Sequence, residues 1–285
     1  MREWHPSVSA VLLLSLMLLS AFSTEPWVIL CSLAGGLTFC AMTGGAKNQL
    51  KTTLFVVAVF TVTNPLFSHR GEQVLFYLNH NAVTLDAILL GARIGGMLAA
   101  SLCWFSAFGR VLDTERLVYL LGKAFPKTAM LLASALRMIP LAKRRFTAVG
   151  EAREAADLGG EGGTARMRFA GGNLSVSLGM TLESAVQSGN SMKARGFGLP
   201  GRTAFSVYRF DNRDRQALVC LLVLGAAVLA GAAFDGLTWR YFPTVKWSTT
   251  PLSFGVLAAY TALCALPLIL NWKEDRKWNA LRSKI

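Results

Sequence analysis

The chain has 285 residues, is 53% hydrophobic, carries charge on only 16% of them and has a mean hydropathy of +0.44. Long apolar runs almost free of charge exclude an ordinary soluble enzyme domain and point to an all-α, polytopic membrane helical bundle. The net charge of +13 suits an anionic membrane surface, where each nearby Lys or Arg gains ~1 kcal/mol, and nucleic acid is not expected as a partner.

About 20 mainly apolar residues cross the hydrocarbon core, and six runs qualify as spans: 6–23, 26–43, 52–68, 83–108, 217–234 and 251–271. The first is expected to act as an uncleaved insertion signal. Thr24-Glu25-Pro26 separates the first two, and Gly44-Gly45-Ala46-Lys47-Asn48 the next pair. The fourth contains Arg93, with Asp86 seven residues earlier on the same helical face. An intramembrane charge is a functional candidate by default; a structural ion pair is the reading favoured here.

The spans divide the chain into an N-terminal block (1–108, four spans), a basic cytoplasmic block (109–216) and a C-terminal block (217–285, two spans and a basic tail). Within the middle block, 117–142 is interrupted by Lys123, Pro126 and Lys127, which argues against a span and for a helix lying in the interface. From Leu132 an apolar stripe runs through Ala135, Ile139, Ala142, Phe146, Val149, Ala152 and Ala156 at helical spacing,. Pro140 is expected to kink this helix and the glycines of 159–163 to end it. A second helix is expected over 174–195, with Leu174, Leu178, Leu182, Ala185, Gly189 and Met192 on one face and Gly196 ending it,.

With six spans and both termini inside, twenty-five of the 29 Lys and Arg are cytoplasmic, as the positive-inside rule requires. Trp239, Tyr241, Phe242 and Trp247 then form an outer aromatic belt. The five cysteines lie in apolar runs with no CxxC spacing, so neither a disulfide framework nor a metal site is expected. GxxxxGK[ST], HExxH and GxSxG are all missing, which removes the familiar ways to split ATP, hold zinc or build a serine nucleophile. Uphill transport by this chain would draw its energy from a partner or an ion gradient.

Three segments carry a resemblance: His5-Pro6 before the first span, Ser134-Ala135-Leu136-Arg137-Met138-Ile139-Pro140-Leu141, and Ser191-Met192-Lys193-Ala194-Arg195-Gly196-Phe197-Gly198. Through them the chain resembles the transmembrane T component of energy-coupling factor (ECF) transporters, over most of its length and most densely from 130 to 198. The resemblance implies two coupling helices, each ending in Ala-Arg-Gly, with each Arg entering a groove on one of two ABC ATPase subunits. The resemblance further implies that those partners bind ATP and Mg²⁺, and that this chain needs no cofactor and is not itself an enzyme. A separate small membrane subunit captures the solute, a vitamin or a transition-metal ion, in the plasma membrane of a prokaryote. Ala194, Arg195 and Gly196 match the second motif. At the first, Ala155-Ala156-Asp157 stands where Ala-Arg-Gly is expected, and Arg153, one turn earlier, is the candidate substitute. Arg137 lies in the segment resembling the first coupling helix.

Independently of any family, an Arg at a helix C-terminus is favoured by the helix dipole, and its planar fork suits paired hydrogen bonds to a carboxylate. Other classes have their own marks. Glu154-Ala155-Ala156-Asp157-Leu158-Gly159-Gly160 fits the EAAxxxG loop of a conventional ABC-importer permease, without the downstream Ile-x-Leu-Pro at its expected spacing. An intramembrane enzyme needs clustered acids, His or Ser, which the sequence lacks. Ion-driven transport predicts paired half-helices and more buried charge.

Overall fold

In the computed structural model of the chain, residues 4–23, 25–67, 74–78, 81–156, 162–197, 199, 208–234, 239–240, 246–247 and 251–282 are described. They form nine helices: α1 (Pro6–Phe22), α2 (Pro26–Met42), α3 (Ala46–Phe67), α4 (Leu85–Val111), α5 (Thr114–Ala124), α6 (Pro126–Ala155), α7 (Gly163–Ala194), α8 (Asn212–Ala233) and α9 (Pro251–Arg282). Two small antiparallel hairpins, absent from the all-α expectation, pair β1 (Val74–Leu78) with β2 (Asn81–Thr84) and β3 (Trp239–Arg240) with β4 (Lys246–Trp247). Trp239 pairs with Trp247 in the second hairpin; Tyr241 and Phe242 of the expected aromatic belt lie outside the described residues.

Among the described residues, α3, α4, α8 and the 253–274 stretch of α9 are long and apolar enough to cross a membrane, and α1 and α2 are shorter apolar helices of 17 residues each. The chain is thus a membrane-embedded helical bundle. It divides into two compact units, Met1–Arg116 with Tyr208–Ile285, and Leu117–Val207. The two terminal blocks read from the sequence therefore fold together as one body.

In the first unit, α4 packs on α1, α2 and α3, while α9 packs on α2 and α8. The core gathers Leu12, Leu13, Leu16, Phe39, Trp104, Tyr260 and Leu263. Trp104 is fully buried and donates its indole N–H to Ser32 Oγ at 2.9 Å, which satisfies the one polar atom that burial would otherwise strand. Glycines on α4 set the tightest approach. A Cβ at Gly91 would stand 2.6 Å from the Phe60 carbonyl oxygen and 2.9 Å from Asn64 Cβ; one at Gly95 would stand 3.0 Å from Val57 Cα. Gly91 and Gly95 form the small-xxx-small spacing that lets two backbones touch in lipid, and Asn64 Nδ2 donates to the Ala87 carbonyl across that contact at 2.7 Å.

Helix α3 begins at Ala46, six residues before the expected span. Its first turns bury Gln49 and Thr53 while Lys47 and Lys51 stay exposed. Gln49 Nε2 donates to Cys103 Sγ at 3.3 Å, and Thr53 Oγ1 lies 3.3 Å from the same sulfur. The lysines cost nothing on an exposed face, so the helix starts where the backbone allows rather than where the apolar run starts. Gly44, at φ 83, makes the turn before it.

The polar helix ends are tied by specific caps. His5 caps α1, with Nδ1 accepting the Ser7 N–H at 3.2 Å and Pro6 in the first turn. The His5 backbone N–H donates to Asp214 Oδ1 at 3.3 Å, and Asp214 Oδ2 accepts the Asp211 N–H at 3.1 Å in the capping box of α8. One buried carboxylate thus joins the starts of α1 and α8, satisfying donors that a helix leaves open. Arg110 donates to the Cys40 carbonyl and to Thr43 Oγ1, both at 3.4 Å, over the C-terminal end of α2. Arg116 does the same for the Val111 carbonyl of α4 at 3.2 Å.

In the second unit the expected interfacial segment 117–142 is two helices. α5 ends at Ala124 and α6 starts at Pro126, where proline's missing N–H is harmless,. Pro140 lies inside α6 without ending it. α7 begins at Gly163, eleven residues before expectation, after Gly162 at φ 108.

Candidate functional site

Helices α6 and α7 pack as an antiparallel hairpin. The seam between them is polar. Arg145 Nη1 donates to the Met180 carbonyl at 3.1 Å and its Nη2 to Ser184 Oγ at 2.8 Å. Nearer the turn, Arg153 Nη1 donates to Asn173 Oδ1 at 3.0 Å and to the Phe169 carbonyl at 3.4 Å, and its guanidinium lies 5.1 Å from the centre of the Phe169 ring. Gly172 leaves the room that the Arg153 guanidinium fills. Asn173 and Ser177 are the buried residues of α7.

The apolar faces read along α6 and α7 do not form the seam. Leu174, Leu178 and Leu182 on α7, and Leu132, Ile139 and Phe146 on α6, are exposed, Leu182 to 68% and Ile139 to 63%. Steps of 100° per residue explain this. On α7 the residues turned to α6 (173, 177, 184, 188, 191) form one stripe, and the leucines lie about a quarter-turn or more away from it. In an antiparallel pair the same rotation leads to the same side on both helices. The hairpin therefore has an apolar side built from both helices and a cationic side opposite.

On that cationic side lies an open groove of about 970 Å³. Arg137, Arg144 and Arg145 line it from α6 and Arg195 from the end of α7, with Met130, Met138 and Met192 as apolar patches and Ser184, Gln187, Ser188 and Ser191 as polar ones. Its lining holds four arginines and no acid. Arg195 is the C-cap residue of α7. Gly196 follows at φ 76; its N–H donates to the Lys193 carbonyl at 3.0 Å, and the Phe197 N–H donates to the Met192 carbonyl at 3.0 Å. This pair of bonds is a Schellman ending. It satisfies the last carbonyls with backbone alone and leaves the Arg195 side chain exposed. Ala194 closes the helix without bulk beside it.

Of the residues singled out in the sequence, Arg137 and Arg195 meet in this groove. Arg153 stands sixteen residues further along α6, about 24 Å at helical rise, and is engaged within the hairpin seam. Ala155 is the last residue of α6 and Ala156 its C-cap; Asp157 lies outside the described residues, as does Gly198. Asp86 sits in the first turn of α4, where the helix dipole favours an acid,, and Arg93 is half-buried two turns further on; both belong to the other unit. Arg144 and Arg145 fall in no sequence motif. The signal that finds Arg144 is its seven-residue spacing from Arg137, two turns on one face.

No protein-family model matches this sequence, and a search of curated proteins gives no match either. Function rests on the residues themselves. A guanidinium fork can make two parallel hydrogen bonds to a carboxylate or phosphate; Arg145 commits both Nη atoms to α7, so the groove presents the forks of Arg137, Arg144 and Arg195. Among the described residues no three His, Cys, Asp or Glu stand close enough together to hold a metal ion, and all five cysteines are free thiols.

Proposed function

We propose that this chain is the membrane coupling subunit of an ECF-type importer. Partner ABC ATPases bind Mg²⁺ and ATP, close and open, and pull on the α6–α7 hairpin; the helical bundle passes the motion to a separate membrane subunit that holds a vitamin or a transition-metal ion. The observation that carries this reading is the groove of four arginines ending in the Ala194-Arg195-Gly196 C-cap. Electrostatic complementarity of this kind steers association and fixes register.

Supporting features are the sequence's lack of a phosphate-binding loop and the concentration of Lys and Arg at the helix ends facing one side: Lys47, Lys51, Arg110, Arg213, Arg215 and Lys273. That side is the cytoplasm by the positive-inside rule. α1 and α2, about 25 Å long at helical rise, then span a locally thinned bilayer, making six spans with both termini inside a prokaryotic plasma membrane.

The test is vanadate-sensitive ATP hydrolysis that co-purifies with the tagged chain from its own membranes. Arg195→Glu is expected to remove it while the chain still inserts and is purified in normal yield. Full hydrolysis in the Arg195→Glu preparation, or hydrolysis by the chain freed of all partners, overturns the assignment.

A further inference from the structure

A second cavity, of about 330 Å³, opens in the first unit where α1 begins, α8 begins and α9 leaves its apolar stretch. It lies at the small end of ligand pockets, about 300–1,000 Å³, the size of a headgroup rather than a whole lipid. Trp4, Cys220, Leu266 and Leu270 give it apolar walls, while Arg213 and Lys273 stand at its mouth. Three acids line it as well: exposed Asp211, which stands 3.9 Å from Arg213 at the mouth, and the buried Asp214 and Glu274, only 5% and 7% exposed.

The order of these residues along the helices is informative. Cys220 lies seven residues beyond Arg213 on α8, and Leu266 lies seven before Lys273 on α9, each about 10 Å at helical rise. The cavity joins the first turns of α8 to the late turns of α9, so its apolar end and its charged end coincide on both helices. The charged end also falls where the two membrane-length stretches stop, at Asn212 and at Glu274. Beside it, exposed Trp272 carries the Arg276 guanidinium 3.6 Å above its ring, a pairing suited to the interface. A gradient from hydrocarbon to charge over about 10 Å is that of a phospholipid from its first acyl carbons to its headgroup.

Charge selects the kind of lipid. Two buried carboxylates disfavour a purely anionic headgroup, and two cations at the mouth disfavour a purely cationic one. We propose that this cavity binds the headgroup of a zwitterionic aminophospholipid. The ammonium lies against Glu274 and Asp214, the phosphate between Lys273 and Arg213, and the upper acyl carbons along Leu266 and Leu270. Asp214 already joins α1 to α8, so the bound lipid becomes part of the joint that holds those helix starts. This inference is independent of the coupling reading and stands or falls separately.

Native mass spectrometry of the full chain, released from nanodiscs of equal phosphatidylethanolamine and phosphatidylglycerol with matched acyl chains, reads which lipid stays. One phosphatidylethanolamine is expected to be retained with about tenfold preference. Glu274→Gln is expected to erase most of that preference. Lys273→Ala, at an exposed side chain that folding does not need, is expected to weaken retention severalfold. Equal retention of both lipids by the wild-type chain, or unchanged preference in both variants, overturns the proposal. Millimolar glycerophosphoethanolamine should leave the lipid bound; if it displaces the lipid, the ligand is a soluble phosphoethanolamine ester and the lipid assignment is wrong.

Discussion

Replacing Arg153 with alanine removes three contacts from the α6–α7 seam at once. The hydrogen bond to Asn173 Oδ1 is 3.0 Å long with a charged donor, a class that contributes about 1.5–3 kcal/mol. The guanidinium above Phe169 adds about 0.5–1 kcal/mol. Asn173 is 4% exposed, so it loses its partner where little water can replace it. These terms overlap, and a net loss of about 2–3 kcal/mol is expected, an increase of about 30- to 150-fold in the opened hairpin. Amide hydrogen exchange of the full chain measures this directly, over residues 169–177. A change below threefold there refutes the clamp. Asn173→Ala opens the same seam without removing a charge and should match it. If Arg153→Ala alone also lowers co-purifying ATPase activity while Asn173→Ala does not, Arg153 acts on a partner rather than on the hairpin.

Gly91→Ala should separate α3 from α4, because its Cβ would meet backbone atoms that have no rotamer to yield; overpacking of this kind costs about 1–3 kcal/mol, seen as a lower thermal midpoint in detergent, and an unchanged midpoint counts against the close crossing. Glu25, buried at the α1–α2 turn, has its carboxyl pushed above the usual range by desolvation. The folded chain then holds that proton more tightly than the unfolded chain, so its contribution is present below about pH 4.5 and is lost as pH rises through the elevated value. Glu25→Gln is expected to raise the midpoint at pH 7 by a few degrees, with the gain vanishing near pH 4; a gain that persists at pH 4 would assign it to something other than charge.

Much of the bundle was legible in the sequence. Thr24-Glu25-Pro26 marks the α1–α2 turn within a residue because proline and an acid break an otherwise unbroken apolar run. The ends of α3 and α9 were less legible. α3 starts at Ala46 and α9 runs on to Arg282, since polar residues continue a helix freely once they face outward, and hydropathy registers only the part suited to lipid. The early start of α7 was hidden by Gly171 and Gly172, poor helix formers; Gly172 is there to admit Arg153. The apolar stripes of α6 and α7 were legible as patterns, but a stripe names a face to be covered, not what covers it. The actual seam uses Asn173 and Ser184, whose partners are long arginines that periodicity does not pair. The meeting of Arg137 with Arg195 depends on antiparallel register, which no single helix encodes.

A seam stitched by guanidinium forks behaves differently under load from one greased with leucines. Smooth aliphatic surfaces let two rods creep past each other at little cost, whereas Arg145 and Arg153 are rivets set about 12 Å apart along α6, each fastened to a defined atom on α7. Slippage by even one turn would shear both. A force applied at the Arg195 end would therefore move the hairpin as one stiff strut, with little play between its members.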